Sequence, residues 1–455
     1  MTDDELRRGI SALMPRAKAD LADLVAIPSV ADPRQYPPEQ CHRAAQWVAD
    51  AFAELGFTDA RLADTSDGSK AVIGHRPGPA GAPTVLLYCH YDVQPPLDEA
   101  AWTSPPFELT ERDGRWYGRG TADCKGNIAM HLTALRALGD DIPVGLVLVA
   151  EGSEEQGTGG LEDYVAGHAD ELRADAILVC DTGNAAVGRP AATVTLRGIA
   201  NLVVTVTALD SAMHSGMFGG PAPDALAALV HILATLRDAQ GNTTVDGLDN
   251  TQTWTGAGYD ADQFRTDAHL VEGTHLLGGG SVADMLWARP ALTILGIDCP
   301  PVVGSSAAIQ PTAAARLNLR VPPGTDPVKA LDALAAHVTN AAPWGVTVAV
   351  ERESSGSPFQ AVTTGPAYGA LAQAMQGAYG TAMTTLGQGG SIPLCNVLAD
   401  TYPDAEIILI GVEEPLCLIH APNESVSPTE IADMALAEAL FLRHYGNHST
   451  GGGQG

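Results

Sequence analysis

Pro83-Thr-Val-Leu-Leu-Tyr-Cys-His90 is the stretch of sequence that decides the fold, because an apolar run ends there on a histidine. A second run, Val144-Gly-Leu-Val-Leu-Val-Ala150, ends in the same way on Glu151-Gly-Ser-Glu154-Glu155. Continuous apolar runs of this length are typical of strands covered on both faces, as in a parallel sheet packed between helices. Ligands of such sheets bind beyond the carboxyl ends of the strands. We therefore predict one site where these runs end.

Two further stretches bring acidic residues to the same predicted edge. Ala176-Ile-Leu-Val-Cys180 is a third apolar run, and it ends in Asp181. Gly118-Arg-Gly-Thr-Ala-Asp123-Cys-Lys-Gly126 is a glycine-rich turn that carries one carboxylate into a helical pattern. Each feature alone is a weak signal, since a lone acidic residue after a strand is often a turn or cap residue. Their recurrence at consecutive strand ends indicates a built site.

Length and composition restrict the class of protein. The chain has 455 residues, 45% of them hydrophobic, which predicts two or three domains with large cores. The formal net charge of −29 argues against nucleic acid and anionic membranes as partners, because both need basic patches. The seven scattered cysteines indicate reduced thiols and a cytoplasmic protein. Neither a signal peptide nor an apolar run of membrane length is found, so secretion and membrane insertion are not expected.

The pattern of predicted strands and helices changes twice along the chain. Residues 1–190 and 357–448 predict one α/β catalytic domain, with a mostly parallel sheet covered by helices. Residues 191–356 follow a strand–helix–strand–strand–helix–strand order, which predicts an inserted α+β domain of the ferredoxin-like type. Residues 241–290 are irregular and predict no element. Residues 449–455 predict a flexible tail.

The candidate side chains form a mixed nitrogen and oxygen ligand set. Zinc accepts such a set, and manganese or cobalt would accept it too. Three carboxylates exceed what one catalytic zinc needs, so we expect one of them to bridge two ions. The candidate ligands are His90, Asp123, Glu155, Asp181 and His420.

Two acidic residues beside these ligands predict supporting roles. Asp92 lies two residues after His90, where its carboxylate could accept the imidazole N–H and fix the tautomer. Glu154 and Glu155 diverge if the chain is extended there. One of them could then bind metal while the other acts as general base.

The motifs that contain these residues resemble the signatures of the M20 metallopeptidases. The resemblance covers nearly the whole chain and is nearest to the cytosolic nonspecific dipeptidases, relatives of carnosinase. Matching motifs follow in the expected order, namely His90-Tyr-Asp92-Val-Gln-Pro95, Gly118–Gly126, Glu151–Glu155, Met213-His214-Ser-Gly-Met-Phe-Gly219, Gly389-Gly-Ser391-Ile-Pro393 and His420-Ala-Pro-Asn-Glu424.

The resemblance implies a role for each site residue. One ion would be held by His90, Asp123 and Asp181, and the other by Asp123, Glu155 and His420, with Asp123 bridging and a cis peptide following it. Asp92 would orient His90, and Glu154 would be the catalytic proton shuttle. The inserted domain would be a lid and dimerisation domain in a homodimer.

The same resemblance implies three substrate-facing residues in the second half of the chain. His214 would reach the partner subunit's active site and stabilise the oxyanion, Arg320 would bind the substrate carboxylate, and Ser391 would line the pocket. An arginine fork suits a carboxylate because its donors match both oxygens. From the residues alone, the simpler interpretation is favoured for both, with His214 as a turn residue and Arg320 as a solvated strand residue.

Departures from the family pattern leave specificity open. Gly387-Gln388 stands where the branch commonly has Arg-Glu, and Ala308 stands where it usually has threonine. We predict a dinuclear hydrolase that cleaves the amide bond of dipeptides or similar small substrates with a free carboxylate. One alternative is an amidohydrolase acting on N-acyl or N-carbamoyl amino acids at the same site. The other is a catalytically idle binding protein.

Overall fold

The computed structural model describes residues 1–450, which form two compact units. The first unit comprises Met1–Val194, Ala361–Leu386 and the chain from Pro393, and the second comprises Thr195–Gln360 and Gly387–Ile392. The sequence prediction assigned Gly387–Ile392 to the catalytic domain, whereas the structure places it in the second unit. The reason is a contact between residues distant in the sequence, since the Arg197 N–H donates to the Gln388 carbonyl oxygen over 3.2 Å.

Side-chain caps define several helix starts. Thr2 Oγ1 accepts a hydrogen bond from the Glu5 N–H, and Asp224 and Asp326 cap later helices in the same way. None of the helices described is both long and apolar enough to span a membrane. In chain order the helices are α1 (Asp3–Val25), α2 (Glu39–Ala53), α3 (Lys125–Leu138), α4 (Gly160–Gly167), α5 (Ser215–Phe218), α6 (Ala225–Ala234), α7 (Ala261–Asp267), α8 (Pro327–Asn340), α9 (Pro366–Tyr379), α10 (Pro393–Thr401) and α11 (Pro428–Thr450).

The predicted tail begins inside the last helix. Ser449 and Thr450 belong to the backbone of α11, and the remainder of the predicted flexible tail, 451–455, lies outside the described residues. The strands are β1 (Arg61–Asp64), β2 (Lys70–Arg76), β3 (Thr84–His90), β4 (Thr110–Arg112), β5 (Arg115–Tyr117), β6 (Gly145–Glu151), β7 (Ala176–Cys180), β8 (Ala191–Leu196), β9 (Gly198–Thr207), β10 (Met213–His214), β11 (Ala291–Asp298), β12 (Ala308–Ile309), β13 (Thr312–Val321), β14 (Thr347–Gly356), β15 (Phe359–Gln360), β16 (Thr384–Gln388), β17 (Glu406–Ile410) and β18 (Ser425–Val426).

The first unit is built on a mixed sheet in the order β1-β2-β6-β3-β7-β17-β8. The four central strands, β6, β3, β7 and β17, are parallel to one another, and the flanking pairs are antiparallel. Every residue of β6 and β7 is buried, so helices cover both faces there. The prediction of a parallel sheet between helices is confirmed for these central strands. It does not extend to the edges, where β1 and β2 pair as a hairpin.

The second unit contains a four-stranded antiparallel sheet in the order β11-β13-β9-β14. Helices α6 and α8 pack against it, and buried residues alternate along β9 and β13, so one face of the sheet is covered. This is the strand order and element sequence of the ferredoxin-like sandwich, as the sequence predicted. Residues 241–290, for which no element was predicted, contain the short helix α7.

Candidate metal centre

Parallel strands bring most of the predicted ligands to one edge of the first unit's sheet. His90 is the last residue of β3, Glu155 follows β6, and Asp181 follows β7 directly. Because these three strands are parallel neighbours, the residues after them meet at their carboxyl ends. Asp123 arrives from the turn before α3, and His420 lies on the chain between β17 and β18.

His90 forms one half of the centre with two aspartates. Its Nε2 lies 2.9 Å from Asp123 Oδ1 and 3.1 Å from Asp181 Oδ1. All three side chains are buried, His90 completely. One imidazole nitrogen and two carboxylate oxygens converge here in a pocket from which water is largely excluded. This is a donor set that zinc or manganese accepts.

His420 forms the other half, and it shares Asp123 with the first. Its Nε2 lies 2.9 Å from Asp123 Oδ2 and 3.2 Å from Glu155 Oε2. The two oxygens of Asp123 therefore face different histidines, which is the arrangement of a carboxylate placed to bridge two ions. The peptide bond from Asp123 to Cys124 is cis, as the family resemblance implied.

These residues fit two divalent ions, because their ligand atoms lie close together and most of them are carboxylates. One ligand atom each of Asp123, Glu155 and His420 lies within 4.8 Å of the others. Burial, joined by the charge of Asp181, raises the pKa of the Glu154 carboxyl to about 10. Burial likewise raises the pKa of Asp181. So many carboxylates in one pocket are compatible with ionisation only when cations are close by.

Cys124 also comes within reach of His90 and Asp181 but is a poor ligand. Its Sγ lies 3.0 Å from the Cys180 carbonyl oxygen, to which the thiol donates. Burial raises the pKa of this thiol to about 12, and metals bind the thiolate. Asp123 is therefore the better third partner for His90 and Asp181.

Asp92 contacts His90 and also holds the turn that carries the two glutamates. The sequence suggested that its carboxylate accepts the His90 N–H, but His90 Nδ1 lies 3.0 Å from the main-chain carbonyl oxygen of Asp92 and 3.4 Å from Oδ1. The carboxylate also accepts the main-chain N–H groups of Glu154 and Glu155 over 3.2 and 3.1 Å. Asp92 thus holds the turn that carries both glutamates.

Glu424 and Arg119 fix the loop before Asp123, which the sequence analysis did not foresee. Arg119 Nη1 lies 2.7 Å from Glu424 Oε2 in a buried ion pair. The same carboxylate accepts the N–H groups of Gly120, Ala122 and Asp123 over 2.9 to 3.1 Å. Both residues stand inside the quoted motifs, so the sequence contained them without indicating that they pair.

Glu413 is a further buried acidic residue at this edge. It lies three residues after β17, and one of its carboxylate oxygens falls within 4.8 Å of oxygens of Asp123 and Asp181. Burial and these neighbouring carboxylates raise the pKa of Glu413 well above its ordinary value. In the sequence, Glu413 follows the apolar run Ile407-Ile-Leu-Ile410 by three residues. The pattern that found Asp181 would also have found Glu413.

The three predicted substrate-facing residues all belong to the second unit. His214 is exposed on β10, where it pairs with Ala308, and its Nδ1 accepts the Gly216 N–H over 3.1 Å. Arg320 is half-buried on β13, and burial lowers its pKa. Ser391 is partly buried in the Gly387–Ile392 segment. Arg197 directly follows β8, the strand that pairs with β16, and burial and the charge of Arg320 lower its pKa to about 10.

The chain is similar to known peptidases in both sequence and fold. A family model described as peptidase family M20/M25/M40 matches residues 86–444. A cysteinylglycine-S-conjugate dipeptidase of Corynebacterium striatum is 44% identical over 409 residues, which cover 89% of this chain and 90% of that protein. The di-peptidase Dug1p of Saccharomyces cerevisiae superposes with a TM-score of 0.81 at 22% identity, covering 98% of this chain and 99% of the other. Human carnosine dipeptidase 1 gives 0.79 at 24% identity, with the same coverage.

Proposed function

This chain belongs to peptidase family M20/M25/M40, and from that membership we propose that it is a metal-dependent dipeptidase acting through two divalent ions. The observation that carries the proposal is the placement of Asp123, whose two carboxylate oxygens each lie 2.9 Å from a different histidine. The dipeptidase activity named for the 44% identical relative supports the same conclusion. An N-acyl amino acid amidohydrolase has no comparable support.

The ligand set follows from the two halves of the centre. His90, Asp123 and Asp181 would hold one ion, and Asp123, Glu155 and His420 the other. Zinc is the first candidate, and manganese and cobalt suit the same donors. When bound, the two ions would polarise the scissile carbonyl and lower the pKa of the attacking water.

Glu154 is the residue that moves the proton. It would accept a proton from the attacking water and then deliver it to the leaving amine of the substrate. Its position on the turn held by Asp92 places it beside Glu155, at the edge where the ligands converge.

Substrate recognition is assigned to the second unit. Arg320 would bind the free carboxylate of the dipeptide, Ser391 would line the pocket, and His214 of a partner subunit would stabilise the oxyanion. A homodimer is part of this proposal. Supporting it, the edge strand β11 exposes a row of apolar side chains, which is typical of a surface that pairs with another copy. These side chains are Ile294, Leu295 and Ile297.

The substrates we propose first are dipeptides with a carboxyl-terminal glycine, including S-conjugates of cysteinylglycine, because these appear in the name of the 44% identical relative. Gly387-Gln388 and Ala308 depart from the branch pattern, so the substrate side chains that the enzyme prefers are measured separately. The proposal concerns the amide bond and the free carboxylate, which all dipeptides share.

The test is hydrolysis of a substrate panel by metal-free protein reloaded with zinc or manganese. The panel contains cysteinylglycine, an S-benzyl conjugate of it, β-alanylhistidine, and N-acetyl and N-carbamoyl amino acids. Turnover of the dipeptides, abolished when metal is removed, is the expected result. Turnover of the acyl compounds alone would contradict the proposal. A reloaded protein that binds two ions but hydrolyses none of the compounds would also contradict it.

A further inference from the structure

Glu413 is a buried carboxylate to which the proposed metal centre assigns no role. The residue is 7% exposed, and one of its oxygens lies within 4.8 Å of oxygens of both Asp123 and Asp181. Across the described chain, residues 1–450, its carboxylate forms no hydrogen bond or ion pair, although its carbonyl oxygen accepts the Asn184 N–H over 2.8 Å. A buried carboxylate without a protein partner is unfavourable, so a cation is the partner its surroundings call for.

The backbone directs Glu413 to this place. Strands β7 and β17 are parallel neighbours, so the chain after Ile410 runs beside the chain after Cys180. The two segments touch at Gly183, where a Cβ atom would lie 2.1 Å from the Glu413 carbonyl oxygen and 2.6 Å from its Cβ. Only glycine permits that approach. Glu413 therefore lies beside the segment that follows β7, near Asp181.

Distance and charge agree on what the carboxylate does there. Oxygens bound to one ion lie at most about 4.4 Å apart, twice the metal–oxygen distance. One oxygen each of Asp123, Asp181 and Glu413 lies within 4.8 Å of the other two, which is close to that limit. Two divalent ions carry more positive charge than Asp123, Glu155 and Asp181 neutralise, and Glu413 supplies the missing negative charge. We propose that Glu413 is a further ligand of the ion held by His90, Asp123 and Asp181. This inference rests on the two-ion centre of the proposed function.

The experiment compares metal binding by the wild type and the Glu413→Gln variant, independently of turnover. Metal-free protein is titrated with Mn²⁺ and Zn²⁺ by calorimetry, and bound metal is counted by mass spectrometry after gel filtration. The variant should bind one of the two ions about 100-fold or more weakly than the wild type. A loss of that size is at or beyond the upper end of what residues contribute when they contact only the ligands of a metal. With Co²⁺, its visible absorption bands should intensify, because fewer ligands surround that ion.

Glu414→Gln is the matched control. Glu414 is the next residue and is equally buried, but its carboxylate lies 2.5 Å from Arg115 and accepts the Leu416 N–H over 2.9 Å. This variant should bind both ions as the wild type does. Glu413→Asp, which keeps a shortened carboxylate, serves as a second variant if the glutamine protein fails to fold, and it should show an intermediate affinity.

Two results would overturn this inference, and they differ from those that would overturn the proposed function. The first is that Glu413→Gln, or Glu413→Asp in its place, binds two ions with wild-type affinity. The second is that the same variant gives the wild-type cobalt spectrum. A wild-type protein that binds fewer than two ions would instead contradict the two-ion centre itself. Metal stoichiometry of the wild type is therefore measured first.

Discussion

At the scale of single residues, Glu154 offers the sharpest test of the chemistry. Its carboxyl is the proposed proton shuttle and no proposed ion needs it as a ligand, so Glu154→Gln should lower kcat by about 100-fold to 10,000-fold. Both ions should remain bound, because the ligand set is intact. Steady-state kinetics together with metal analysis makes the measurement. Near-full turnover with both metals bound would remove Glu154 from the mechanism.

A control at Glu155 separates the two neighbours. Glu155 Oε2 lies 3.2 Å from His420 Nε2, so Glu155→Gln should lose metal as well as activity. If both variants lost metal equally, the division of labour between the glutamates would be wrong. The strand pattern placed the two side by side without distinguishing them, and only the family resemblance paired Glu155 with His420. Which of them faces His420 depends on the turn that Asp92 holds.

The residues that sequence could predict here are those that follow strands. His90, Asp181 and the Glu154-Glu155 pair are found because an apolar run is visible in one sequence and its carboxyl end is a known ligand position. Which atom of Asp92 meets His90 is not predictable in this way, since the main-chain oxygen and the carboxylate are equally near in the sequence. Pairing across the chain is also invisible, as for Arg119 and Glu424.

At the scale of elements, the buried pair of Arg119 and Glu424 anchors the loop that presents Asp123. In Glu424→Gln, one carboxylate oxygen is replaced by an NH₂ group, which can only donate hydrogen bonds. That group would face main-chain N–H groups or the Arg119 guanidinium, which are donors themselves. We expect unfolding free energy to fall by about 3–5 kcal/mol, as is usual when one partner of a buried pair is removed. Urea denaturation of the metal-free variant measures this.

An exposed pair of the same length is the control for Glu424. Arg316 and Glu353 also approach to 2.7 Å, but on the surface of the second unit. Glu353→Gln should lower the unfolding free energy by less than about 1 kcal/mol. Equal losses in the two variants would mean that burial does not set the contribution of the Glu424 carboxylate.

Asp67 ties the β1–β2 turn to the segment that follows β6. Although burial acts to raise its pKa, hydrogen bonds from Thr158, Thr65 and Ser153 hold it well below the ordinary value of 3.8. A carboxyl whose pKa is depressed on folding contributes stability above about pH 4 and loses it as the pH falls through the folded-state pKa. Asp67→Asn should therefore lower the unfolding free energy by about 1 kcal/mol at neutral pH.

The pH dependence distinguishes this role from simple packing. Denaturation of wild type and Asp67→Asn at a series of pH values should show a difference that is constant near neutrality and shrinks below about pH 4. A difference that does not change with pH would show that the charge of Asp67 is not what matters. Ser66→Ala serves as the control, because the Ser66 hydroxyl of the wild type donates to Asp163 and not to Asp67.

At the scale of the whole molecule, the hydrophobic pattern of the strands changes from continuous to alternating near residue 190, a few residues before the second unit begins at Thr195. In β9 and β13 of the second unit, buried residues alternate with more exposed ones. Residues 241–290 gave no signal, since α7 is short and its stretch lacks an apolar period. The place of Gly387–Ile392 depends on contacts with Arg197, far away in sequence, and no local pattern predicts it.

The dimer is tested by mixing two inactive variants. If His214 acts in the partner's site, a heterodimer of His214→Ala and Glu154→Gln subunits contains one site with both residues intact. Random reassociation of equal amounts should then restore about a quarter of wild-type activity, because half the dimers are mixed and each has one working site of two. If His214 acts within its own subunit, every site lacks one residue and mixing restores nothing. A monomer with full activity at micromolar concentration would contradict the homodimer outright.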